Sequence, residues 1–308
     1  MKKLTRVIGA MAFVLPFAAS ATTSIMFDAD GAGGAYSSQS IDTLQWQVGN
    51  ALSVGGGNLS NGTVTQLLYQ ANLSTTSLDG ETQTVSCISS ANCLTAVAGF
   101  QESAILSNGG KTATFSLVSP NVQSSTNYFY IYSKPGTQGN NLAGTGFSTG
   151  TRILTGHIGS IVSSSYTATD TIELFDQKGG DDYSGKRTVV GGGLTNVNVV
   201  IDSADGNFFP GLAMDSLIFS FFNTGTLTPF TGVNPSRQFS SNGIANGDVT
   251  PVLGLINGFA AAGANDFQFQ AAASQSFLPS TNVPEPSTIF LTGLALAALG
   301  VTSRRRNR

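Results

Sequence analysis

Leu194-Thr195-Asn196-Val197-Asn198-Val199-Val200-Ile201 is the stretch whose reading decides the fold. Side chains alternate between the faces of a strand, so Val197, Val199 and Ile201 share one side and Asn196 and Asn198 the other. The same grammar recurs along the chain. Phe267-Gln268-Phe269-Gln270 alternates strictly, and Tyr128-Phe129-Tyr130-Ile131-Tyr132 sets three tyrosines opposite Phe129 and Ile131. Further apolar runs lie at 41–46, 64–73, 112–118, 153–162, 169–175 and 217–222. Between them stand turn formers: Gly55-Gly56-Gly57, Asn61-Gly62, Asn108-Gly109-Gly110, Lys178-Gly179-Gly180 and Gly191-Gly192-Gly193. No internal segment has a long helical period. Many short strands at this spacing predict an all-β domain, an antiparallel β-sandwich or jelly roll. A right-handed β-helix would need a fixed repeat, and none is present.

The two ends read differently. Lys2, Lys3 and Arg6 precede an apolar run from Val7 to Ala18 that ends in Ala19-Ser20-Ala21. This is the layout of a signal peptide, residues 1–21, with cleavage expected after Ala21 and with Ala19 and Ala21 as the small residues of the site. At the other end, Val283-Pro284-Glu285-Pro286 is followed by apolar residues 289–301 and then Arg304, Arg305, Arg306 and Arg308. Two prolines around Glu285 remove backbone donors and disfavour helix, so this motif is an extended spacer. Residues 289–301 predict a transmembrane helix of only ~20 Å, short of a ~30 Å hydrocarbon core. The arginines act as a basic stop facing the cytoplasm.

This tripartite tail resembles the PEP-CTERM sorting region of Gram-negative bacteria. The resemblance implies recognition and cleavage by an exosortase, a membrane cysteine peptidase, after transient anchoring in the inner membrane. The expected organisation is a signal peptide at 1–21, one β-rich extracellular domain at 22–281, and the sorting region at 282–308.

Charge sharpens this picture. Of 14 basic residues, seven lie in 1–21 and 287–308, whereas all 17 acidic residues lie between those segments. The part left after both removals carries a net charge of −10. Such a surface excludes a nucleic-acid partner, whose phosphates need a basic patch. Abundant Gly, Ser, Thr and Asn with few charges fit an exported β protein.

Candidate sites are few. Cys87 and Cys93 are the only cysteines, which predicts a disulfide closing a small loop outside the cytoplasm. Asp28 and Asp30 before Gly31, and Asp181-Asp182, are calcium candidates; each lacks the remaining ligands of an EF-hand loop. His157, the sole histidine, reads as a structural strand residue, and no G-x-S-x-G elbow accompanies it. No cofactor is expected apart from calcium. Tyr128, Tyr130 and Tyr132, together with Trp46, are a candidate aromatic platform for sugars.

Several internal segments resemble flocculation-associated PEP-CTERM proteins: residues 27–34 (FDADGAGG), 49–52 (GNAL), 67–73 (LLYQANL), 139–147 (GNNLAGTGF) and 265–271 (NDFQFQA). This resemblance implies a non-catalytic surface or extracellular-matrix protein that holds cells and exopolysaccharide together as floc or biofilm. Two other classes remain open on sequence. One is a lectin-like sandwich binding polysaccharide, and the other a polysaccharide hydrolase or lyase with paired carboxylates.

Overall fold

The computed structural model describes residues 24–277 apart from 33–37, 57–58, 84–91, 142, 169–172, 175–186, 189–190, 213–215, 223–254 and 261–265. The expected signal peptide at 1–21, the sorting region and its predicted helix therefore lie outside the described residues. Among those described, no helix is long and apolar enough to cross a membrane.

The described chain is antiparallel and almost wholly β, as the alternation predicts. Its strands are β1 (Ile25–Asp28), β2 (Ser38–Ile41), β3 (Thr43–Val54), β4 (Val64–Leu78), β5 (Glu81–Gln83), β6 (Asn92–Ser107), β7 (Thr112–Leu117), β8 (Tyr128–Pro135), β9 (Thr151–Ala168), β10 (Glu173–Leu174), β11 (Arg187–Thr188), β12 (Gly191–Ala204), β13 (Ser216–Phe222) and β14 (Phe267–Phe277). Two hairpins, β1–β2 and β10–β11, stand apart from one large sheet.

That large sheet closes on itself. β3 pairs with β4, β4 with β6, β6 with β8, β8 with β9, β9 with β12, β12 with β13, β13 with β14, and β14 again with β3. The connectivity is an up-and-down meander, and closure leaves none of these eight strands as a long free edge. β7 and β8 share a single place in the ring. β7 fills the half opposite residues 102–107 of β6, and β8 fills the half opposite residues 92–99. Residues 118–127 leave the sheet between them. Bulges bend the longest strands, between Trp46 and Asn50 of β3 and at three points along β9–β12.

The interior is packed from opposite walls, so the closed sheet has the cross-section of a sandwich. Phe219 of β13 lies 4.9 Å, centroid to centroid, from Phe129 of β8. It also lies 5.9 Å from Tyr69 of β4 and 6.5 Å from Trp46 of β3. Val197, Val199 and Ile201 all face this core, as their alternation requires. Each fully buried aromatic side chain there contributes about 2–3 kcal/mol of transfer free energy.

One end of the barrel is sealed by β1–β2 and by residues 205–212. Phe27 meets Phe209 at 5.4 Å with the rings tilted by 43°, Phe209 meets Phe277 at 6.4 Å, and the Asp28 amide donates to the Phe208 carbonyl. Gly31 is held at φ +64°, and a Cβ there would stand 2.4 Å from the Phe208 ring. Gly31→Ala combines left-handed strain with overpacking. It should lower stability by about 2–4 kcal/mol, read as a fall in the thermal unfolding midpoint.

Candidate functional site

Three places concentrate unusual side chains: the tyrosine stripe, a set of outward amides, and the upper barrel interior. The stripe forms as its spacing predicts, with Phe129 and Ile131 in the core and the three tyrosines outside. Its rings are already engaged. Tyr128 and Tyr130 stack at 5.2 Å with 19° between planes, and the Arg152 guanidinium sits 4.0 Å from the Tyr130 centroid. Arg152 Nε also donates to the Tyr132 hydroxyl at 3.3 Å, and Tyr132 packs with Val97 and Phe147. Tyr128 receives a hydrogen bond from Asn257, and burial pushes its hydroxyl up to about 12. Trp46 belongs to the barrel core at 3 % exposure, so it does not join the stripe. Periodicity set its neighbours in sequence, but the strand's inward face claimed the indole.

The outward amides were invisible as a site in the sequence. Asn72 donates to and accepts from the backbone of Gly139 (3.0 and 2.7 Å). Gln70 donates to the Leu255 carbonyl and accepts from the Asn257 amide, both at 3.0 Å. Asn127 donates to the Ile158 carbonyl at 2.9 Å and accepts from the Ile158 amide at 2.8 Å. In each case a side-chain amide mimics a strand's backbone and pins a loop to the sheet. Asn50 adds a bond to the Asn141 carbonyl. Gly139 owes its identity to close approach, since a Cβ would lie 2.6 Å from the Phe147 ring.

The remaining sequence candidates have local explanations. Asp28 is fully buried, and its Oδ1 accepts from the amides of Asp30 and Gly31. Asp30 Oδ1 accepts from the Ala32 amide. Both carboxylates are thus turned onto their own loop. Among the described residues no three His, Cys, Asp or Glu side chains cluster as a metal site. His157 is buried in β9, with Nδ1 2.9 Å from Asp202 of β12 and Nε2 3.0 Å from Asn121. Acyl transfer would need a hydroxyl or thiol where Asn121 stands, so the imidazole acts as a strut between two strands and residues 118–127. Cys93 is disulfide-bonded; Cys87, Asp181 and Asp182 lie outside the described residues, as do Ala19, Ala21, the motif at 283–286 and the terminal arginines.

The inward face of the upper barrel carries chemistry that composition did not signal. Glu102 of β6 and Thr65 of β4 are directly paired across strands and point inside, at 4 % and 1 % exposure. Among the described residues, Glu102 Oε2 and Thr65 Oγ1 have no hydrogen-bond partner. Desolvation by burial pushes the Glu102 carboxyl up to about 8, so it holds its proton in neutral solution. Its alternation with Phe100 and Ala104 gives its inward direction from sequence. Its burial follows only from closure.

In comparison with known proteins, residues 282–306 match the family model of the PEP-CTERM protein-sorting motif. No curated protein and no solved structure matches the chain. The motif marks a protein that is exported, passes through a membrane-anchored stage and is processed there by exosortase.

Proposed function

We propose that the exported β domain is a non-catalytic component of the cell surface or extracellular matrix that promotes flocculation or biofilm formation together with exopolysaccharide. The observation that carries this reading is the sorting motif at 282–306, which routes the acidic domain out of the cell. The fold adds support. The segments that resemble flocculation-associated proteins are scattered in sequence, yet four of them meet in space. Residues 49–52 on β3 neighbour 67–73 on β4 and 267–271 on β14, and residues 139–147 are pinned onto β3 and β4 by Asn50 and Asn72.

The test is genetic and biochemical together. Deleting the gene should abolish flocs, and complementation with the Pro284→Ala/Glu285→Ala/Pro286→Ala variant should leave the protein at the membrane and fail to restore them. Intact mass of released wild-type protein should show removal of both ends. Normal flocculation after deletion, or normal release of the variant, would refute the proposal. Purified domain that shortens the polysaccharide would refute its non-catalytic part.

A further inference from the structure

We propose that the upper interior of the barrel is a binding site for one uncharged, hydroxyl-rich sugar residue, with Glu102 and Thr65 as its polar contacts and Phe115, Leu117 and Phe269 as its walls. This extends the polysaccharide association proposed above by naming a site and a ligand class.

The argument begins with the two ends of the barrel. The lower end is filled: Phe100, Phe129, Phe209 and Phe219 are fully buried and in contact with one another or with their neighbours. Toward the upper end the inward residues change character. Leu117 and Phe269 pack on the core but are only half-buried, and Phe115, on the same face of β7 as Leu117, is half-buried too. Ala104 and Ala113 replace bulky residues in the adjoining layer. Just above, Ser164 of β9 and Thr195 of β12 bond to each other at 2.8 Å.

An interior with partly covered rings, small residues and a few convergent polar atoms has the composition of a small-molecule site at a barrel mouth. The orphaned atoms set the ligand's polarity. Desolvating a hydroxyl and a carboxyl without partners costs about 1–3 kcal/mol each, a cost that a hydrogen-bonding ligand offsets. Lys134 and Arg152, the basic residues of the described strands of the ring, stand on its outer side, half-buried and exposed, so among these strands no cation faces the interior to await an anion. A protonated carboxyl offers one donor and acceptors, and a threonine hydroxyl offers the same. Together with aromatic walls, this pairing suits a neutral sugar ring and penalises a carboxylated one.

The mature exported chain should be titrated with glucose, galactose, mannose, N-acetylglucosamine and their linear oligomers, by calorimetry and by NMR at about pH 6 and about pH 9. At least one neutral saccharide should bind saturably at the lower pH and shift signals of Thr65, Glu102 and Phe115. Its affinity should fall about tenfold or more at the higher pH, a loss of about 1.4 kcal/mol. Glu102→Leu and Thr65→Val should weaken it similarly, whereas Glu102→Gln, which keeps a neutral donor, should bind at both pH values. Absence of binding across the panel would overturn the proposal, as would binding untouched by Glu102→Leu and Thr65→Val in folded protein. Binding lost only on Tyr130→Ala would overturn it too, by moving the site to the outer stripe. Any of these failures leaves the export and flocculation tests standing, because they read cells and released mass instead of ligand.

Discussion

Asn127→Ala is expected to lower the free energy of unfolding by about 3–5 kcal/mol. The reason is the shared place of β7 and β8 in the ring. β8 pairs with β9 as far as Phe129 and Gly156, and β7 takes over from Thr114 and Ser165. In between, Ile158 has Val199 of β12 on one side but no strand residue opposite it on the β7–β8 side. Asn127 supplies the missing rung, with its Oδ1 accepting from the Ile158 amide and its Nδ2 donating to the Ile158 and Pro120 carbonyls. The side chain is fully buried, so water does not replace it in alanine. Two backbone groups of a buried residue would lose their partners, at about 1–3 kcal/mol each. Asn140→Ala is the comparison: that exposed side chain accepts from the Ala143 amide, and its loss should cost less than about 1 kcal/mol. Urea unfolding of both variants reads the difference as a shift in midpoint at constant slope. Equal midpoints would mean that the ring closes without this rung.

What could be read from the sequence was what is local. The Asn108-Gly109-Gly110 turn forms with positive φ at all three residues, because those residue types tolerate it. The inward set of β12 and the two faces of β8 follow from a period of two and nothing else. Closure is another matter. β14 pairs with β3 between Phe267 and Ser53, across more than two hundred residues, and no property of either segment announces the other. For the same reason the Arg152 cover on Tyr130 is not legible: the guanidinium arrives from a neighbouring strand and packs over one ring of the candidate sugar platform. The amide pins are not legible because Asn and Gln in a turn-rich sequence look like ordinary polar filler. Glu102 shows the limit most clearly. A glutamate in an apolar strand is unremarked until the strand becomes the wall of a barrel.

Glu102→Gln should remove a pH dependence of stability that the wild type carries, and the sign follows from the two protonation states. The carboxyl titrates near 4.5 when solvated, and burial raises it to about 8 in the folded chain. Below about pH 4.5 both states hold the proton, and Glu102 contributes no pH slope. Between about 4.5 and 8 the unfolded chain releases the proton while the folded chain keeps it, so stability falls as pH rises. Above about 8 both states are ionised and the penalty levels off. One pKa unit corresponds to about 1.4 kcal/mol, so the full penalty is on the order of 3–5 kcal/mol. Glutamine has nearly the same shape and does not ionise. The variant should match the wild type to within about 1 kcal/mol at pH 4 and exceed it by several kcal/mol at pH 9, measured as unfolding midpoints across that range. Parallel pH curves for the two proteins would show that the folded carboxyl is already ionised at neutral pH. In that case the interior would be wetter than its burial implies, and the donor assigned to the sugar site would be an acceptor instead.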